Sequence, residues 1–183
     1  MASKELKEVL LLDQKIFEDE RGYFLESFNK KIFEKSIGAP REFVQDNVSL
    51  SKKNVLRGFH YQMKPFEQGK LVRVLQGSIL DVVVDIRKNS NSYGDHCSYI
   101  IDSKKNNSLW IPEGFAHAFL ALSEETIVYY KTTNFYSKDH EITIPWDDKN
   151  ICFNWPVSKE DMILSEKDSK NTISLKEFWD QQK

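Results

Sequence analysis

Residues 55–86 read VLRGFHYQMKPFEQGKLVRVLQGSILDVVVDI, and their alternation decides the fold. Leu80, Val82, Val84 and Ile86 fall on one face of an extended chain, with Asp81, Val83 and Asp85 on the other. One run earlier, Lys70 shares a face with Val72 and Val74, and Gln76 and Gly77 supply turn residues between the runs. The segment therefore predicts a β-hairpin turning at Gln76 and Gly77. Set among its apolar residues are Arg57, His60, Gln62 and Lys70. They suit an active site, a metal site or a solvated strand face.

Outward from this stretch the pattern stays short and extended. KIFEDERGYFLESFN predicts two strands joined near Arg21 and Gly22, and KKIFEKSIGAP one short helix ended by Gly38 and Pro40. Residues 43–62 are extended around a loop at 51–54, and residues 97–136 give three more strands with turns at 104–107 and 123–125. After residue 156 the alternation weakens, and SLKEFWDQQK is at most a terminal helix. Many short strands rich in Val, Ile, Phe and Tyr predict an all-β sandwich or barrel. A chain of 183 residues with 40% hydrophobic content fits one domain over 1–183.

Composition removes several function classes. The formal charge is -2 with both signs interspersed, so no basic field invites nucleic acid. No stretch is long and apolar enough to span a membrane, and the N-terminal apolar run is too short for a signal-peptide core. Cys97 and Cys152 lack metal spacing and read as unpaired thiols of a reducing compartment, which predicts a cytoplasmic protein.

In IPEGFAHAFLAL, Pro112 and Gly114 turn the chain, and His117 then shares a face with Phe115 and Phe119. His60 or His117 taken alone reads more readily as a core histidine with one partner. Together with Lys70, an amine costly to bury without a task or a route to the rim, they suggest one cavity. Tyr130, on the face of Val128 and Thr132, could add a hydroxyl to it, although an aromatic strand explains it as well. Asp81 and Asp85 fit a solvated face as well as a pocket.

PEGFAHAF resembles the second motif of the cupin superfamily. With RGFHYQ, GKLVRV, GSILDVVVDIR, WIPEGFAHAFLAL, YYKTTNFY, PWDD and ILSEKD in this order, the chain closely resembles the dTDP-4-dehydrorhamnose 3,5-epimerase family from about Val9 to Asp168. The resemblance implies a cupin-type jelly roll with short helices at the periphery and C-terminus. It also implies a cofactor-free isomerase that inverts C3 and C5 of a dTDP-4-keto-6-deoxyhexose, or only one of them in a related monoepimerase.

By the same resemblance His60 is the base, Asp168 its partner, Lys70 the group facing the enolate oxygen and Tyr130 the acid. Arg21, Glu26, Gln45, Asp46, Asn47, Arg57, His117, Glu141 and Lys167 match nucleotide-sugar contacts, and Tyr136 is an aromatic that bears on which carbon inverts. Without the resemblance, Arg21 and Glu26 read as a surface salt bridge of the hairpin. The family is homodimeric, with N-terminal strands exchanged between neighbours. The chain departs from the family pattern at Ala118, where Gly is frequent, and at Asn134 and Phe135, where Asp-Tyr is frequent.

Two rivals remain. A metal cupin would use His60, Gln62, Glu67 and His117, but Gln62 stands where a second histidine belongs and is a poor ligand for the metals concerned. A non-catalytic sugar-binding jelly roll would need neither base nor acid.

Overall fold

The computed structural model describes residues 6–170 and 172–181; the ends of the expected domain span lie outside the described residues. In chain order the elements are β1 (Leu10–Leu12), β2 (Ile16–Asp19), β3 (Gly22–Leu25), α1 (Lys30–Ile37), β4 (Gln45–Lys52), β5 (Leu56–Gln62) and β6 (Lys70–Gln76). There follow β7 (Ser78–Asp85), β8 (His96–Asp102), β9 (Ser108–Ile111), β10 (Phe115–Ala121), β11 (Glu125–Thr132), β12 (Glu141–Thr143), α2 (Glu166–Lys170) and α3 (Leu175–Gln181). Two five-stranded antiparallel sheets result, ordered β1-β9-β6-β11-β4 and β12-β5-β10-β7-β8, beside the separate β2-β3 hairpin. This is the expected all-β jelly-roll sandwich, its helices short and peripheral.

The period-2 pattern explains why the sheets face each other. Val72, Val74, Leu109, Ile111 and Val128 of the first sheet meet Ile79, Val83, Phe115 and Phe119 of the second in one buried cluster. The second sheet is apolar on its outer face too: Val82, Val84, Ala116 and Ala118 lie under Ile144, Ile151, Leu175 and Phe178. The weakly patterned C-terminal segment is thus a cover over that sheet. Helix α1 starts at the cap Asn29, whose side chain accepts from the Ile32 amide, and ends at Gly38 in the left-handed conformation. It seats Phe33 on Leu71 and Trp110 of the first sheet.

Three expectations are corrected. Residues 70–85 are not a hairpin, because β6 pairs with β9 and β11 while β7 pairs with β8 and β10. At Gly77, with φ +77°, the chain crosses from one sheet to the other, and a Cβ there would lie 2.6 Å from the Glu125 carbonyl oxygen. A local pattern of two strands around a turn does not encode which strands they pair with. Residues 97–136 give four strands, since Pro112 and Gly114 separate β9 from β10. The loop expected at 51–54 starts later, because β4 runs to Lys52. No described helix is long and apolar enough to cross a membrane.

Candidate active site

A cleft of about 360 Å³ opens between the two sheets. His60 on β5 and His117 on β10 stand directly opposite each other in the second sheet's ladder. Lys70 on β6 and Tyr130 on β11 line the wall formed by the first sheet. Strand periodicity alone would separate Arg57 from His60, three positions apart, onto opposite faces. Between them the β5-β10 register shifts: His60 pairs with His117, but Arg57 pairs with Phe119. Gly58 sits at the shift with φ +114°, and a Cβ there would lie 2.4 Å from the His117 carbonyl oxygen. Both Arg57 and His60 consequently line the cleft.

The His60 Nε2 lies 2.5 Å from Asp168 Oδ1. Asp168 is buried on α2, and its Oδ2 accepts from the Ser165 hydroxyl at 2.7 Å. Burial pushes the Asp168 carboxyl up, but the bonds and charges of His60, Ser165 and Lys167 outweigh it and hold it below the ordinary carboxylate range. Burial dominates at His60 and lowers its pKa, against the raising influence of Asp168; Lys167 and Lys70 push the same way as burial. With Nε2–H donated to Asp168, the nitrogen left for a substrate is Nδ1, with a free lone pair at neutral pH.

Burial also pulls the Lys70 ammonium down to about 8, while Glu141 and Asp81 draw it upward. At Tyr130 burial raises the phenol and Arg57 opposes it, so the hydroxyl keeps its proton. His117 Nε2 is 2.8 Å from Asp81 Oδ2, and Asp81 is fully buried. Asp85 is equally buried, held by Arg87, Ser90 and Ser92 away from the cleft. Neither aspartate lies on a solvated face. The sequence left Asp81 open between a solvated face and a pocket, and nothing in it singled out Ser165.

Of the expected contact residues, Gln45, Asn47, Arg57, His117, Tyr136, Glu141 and Lys167 line the cleft. Glu141 accepts from Lys167 Nζ at 2.9 Å and from the Tyr136 hydroxyl at 3.0 Å. Asp46 does not reach it: alternation along β4 turns Asp46 to the outer face, where it accepts from Lys131 and Tyr129. Arg21 is 84% exposed and pairs with Asp19, not Glu26. Glu26 accepts from Asn29 and borders a different depression, beside β1 and α1. The four residues of the metal reading are not gathered, since Glu67 accepts from the Tyr61 hydroxyl and borders another surface. Among the described residues no group of three or more His, Cys, Asp or Glu could hold a metal ion.

The arrangement can remove a proton from one side of a bound ring, stabilise negative oxygen, and return a proton from the other side. Comparison with known proteins agrees with this chemistry. The family model for dTDP-4-dehydrorhamnose 3,5-epimerase matches residues 3–177. The dTDP-4-dehydrorhamnose 3,5-epimerase of Shigella flexneri is 52% identical over 164 residues, covering 90% of either chain. The crystal structure of dTDP-6-deoxy-D-glucose-3,5-epimerase from Legionella pneumophila, in complex with dTDP-4-keto-L-rhamnose, superposes with a TM-score of 0.90 at 40% identity, covering 95% of this chain and 91% of that one. A 3'-monoepimerase from Streptomyces bikiniensis in complex with dTDP-quinovose gives the same TM-score at 27% identity, over 100% of this chain and 91% of that one.

Proposed function

The chain belongs to the dTDP-4-dehydrorhamnose 3,5-epimerase family, and from that premise we propose that it inverts C3 and C5 of dTDP-4-dehydro-6-deoxy-D-glucose to give dTDP-4-dehydro-L-rhamnose. The 4-ketone acidifies both flanking hydrogens, which lie axial on one face of the D-gluco ring, so a single base on that face serves both. His60 Nδ1 takes the proton while Asp168 stabilises the imidazolium. The C–H electron pair moves into the enolate, whose oxygen faces the Lys70 ammonium. Tyr130 gives its proton to the same carbon from the opposite face, and the electron pair returns from the enolate to that new C–H bond. Solvent then restores the phenol and removes the proton from His60.

The observation that carries this reading is the opposition of the His60 and Asp168 pair on one wall to Lys70 and Tyr130 on the other. A binder needs no such division. The test is the NMR structure of the product formed from the keto-sugar: inversion at both carbons is expected, and inversion at C3 alone would instead favour the chemistry named for the Streptomyces relative.

The site extends to a second copy of the chain. Strand β1 pairs with β9 of its own chain, so the piece left to exchange is the β2-β3 hairpin. Its Phe17, Tyr23 and Phe24 are exposed, as are Val48 and Leu50 on the outer face of β4. Such surfaces favour a homodimer. Arg21 and Glu26, remote from their own cleft, then serve the nucleotide in the partner's, where a guanidinium suits diphosphate oxygens.

A further inference from the structure

Tyr136 differs from the strand-borne groups of the cleft in sitting on the loop between β11 and β12. Three glutamine side chains that line the cleft hold the backbone of that loop. Gln45 Oε1 accepts from the Tyr136 amide at 3.0 Å, Gln62 Oε1 from the Ser137 amide at 2.9 Å, and Gln68 Nε2 donates to the Asn134 carbonyl at 2.8 Å. Each glutamine comes from a different part of the chain: β4, β5 and the segment before β6.

Gln62 is the informative member. It is 4% exposed, and while its oxygen serves Ser137, its Nε2 is buried without a hydrogen-bond partner among the described residues. An unpaired buried donor costs free energy, so this orientation is maintained against a penalty by the bond to the loop. The Tyr136 ring is fixed at its far end as well, through its hydroxyl on Glu141.

We propose that Gln45, Gln62 and Gln68 form a clamp that sets the position of Tyr136 and thereby the partition of proton transfer between C3 and C5. The inference deepens the proposed function and rests on it. One base and one acid must meet two carbons on either side of the same ketone, so the ring has to shift sideways in the cleft between the two events. The wall that Tyr136 provides limits that shift, and the glutamines are positioning residues that act through it.

The test is the ratio of solvent deuterium incorporated at C3 to that at C5, followed by NMR in wild type, Gln62→Met and Gln68→Met. Methionine keeps the length of the side chain and removes the hydrogen bond. Each substitution is expected to change the ratio about fivefold, the factor that one net hydrogen bond is worth. In a Tyr136→Ala background the same substitutions are expected to leave the ratio where Tyr136→Ala alone puts it. An unchanged ratio in both single variants overturns the clamp, as does an equal change with and without Tyr136. Absence of exchange in the wild type would instead overturn the function on which the clamp rests.

Discussion

His60 spends Nε2 on Asp168, so its reactivity is concentrated at Nδ1, and its pH behaviour follows from the groups around it. For kcat/KM the base must be neutral. Burial holds it below the ordinary value of 6.5, so activity rises with pH through a point under that value. Lys70 must be a cation, and with its pKa pulled down to about 8, activity falls as pH rises through that region. A bell-shaped profile with these limbs is expected; a rate still climbing above pH 9 would remove Lys70 from the enolate. Lys70→Met, which keeps the stem and deletes the charge, is expected to lower kcat by about 100-fold or more in steady-state assays. Lys70 was legible because period 2 set it on the face of Val72 and Val74, and His60 because it joined Lys70 and His117 in one suggested cavity and matched the family motif. Asp168 was visible only through the family resemblance, since its approach to His60 depends on α2 and on no local pattern.

At the scale of elements, the geometry of β5 is what brings Arg57 and His60 to one wall. Gly58→Ala must move the His117 carbonyl or flatten the register shift, because the new Cβ has 2.4 Å of room at positive φ. It is expected to destabilise the fold by about 2 kcal/mol or more in urea unfolding and to lower activity in the molecules that stay folded. Wild-type stability and rate in this variant would show that the shift tolerates a side chain. The glycine between Arg57 and His60 was the signal for this bulge, yet its meaning depends on the partner strand. The same gap explains the misread hairpin at Gln76 and Gly77: each strand was recognised, and its sheet was not. Asn134 and Phe135, where the family pattern often differs, fall in the loop that the glutamines hold, which no spacing rule would have connected to Gln62 or Gln68.

At the scale of the molecule, the two facing sheets supply opposed walls, and the proposed homodimer would bring the exposed β2-β3 hairpin of a second copy to the nucleotide end. Light scattering is expected to give twice the chain mass of 21.5 kDa. If Arg21 holds the diphosphate as proposed, far from the reacting carbons, Arg21→Ala is expected to raise KM about tenfold with kcat little changed. A monomer with full activity would contradict the shared site. The jelly roll could be read from strand pattern and family resemblance, whereas a role for Arg21 in a neighbour's site is implied by the resemblance alone, because an exposed hairpin carries no record of its neighbour. The central claim is that His60 removes protons from both carbons beside the ketone. It is tested most directly by following solvent deuterium into dTDP-4-dehydro-6-deoxy-D-glucose by NMR with wild type and His60→Asn. The account predicts label at C3 and C5 with the wild type and at neither with the variant; full labelling by the variant would contradict it.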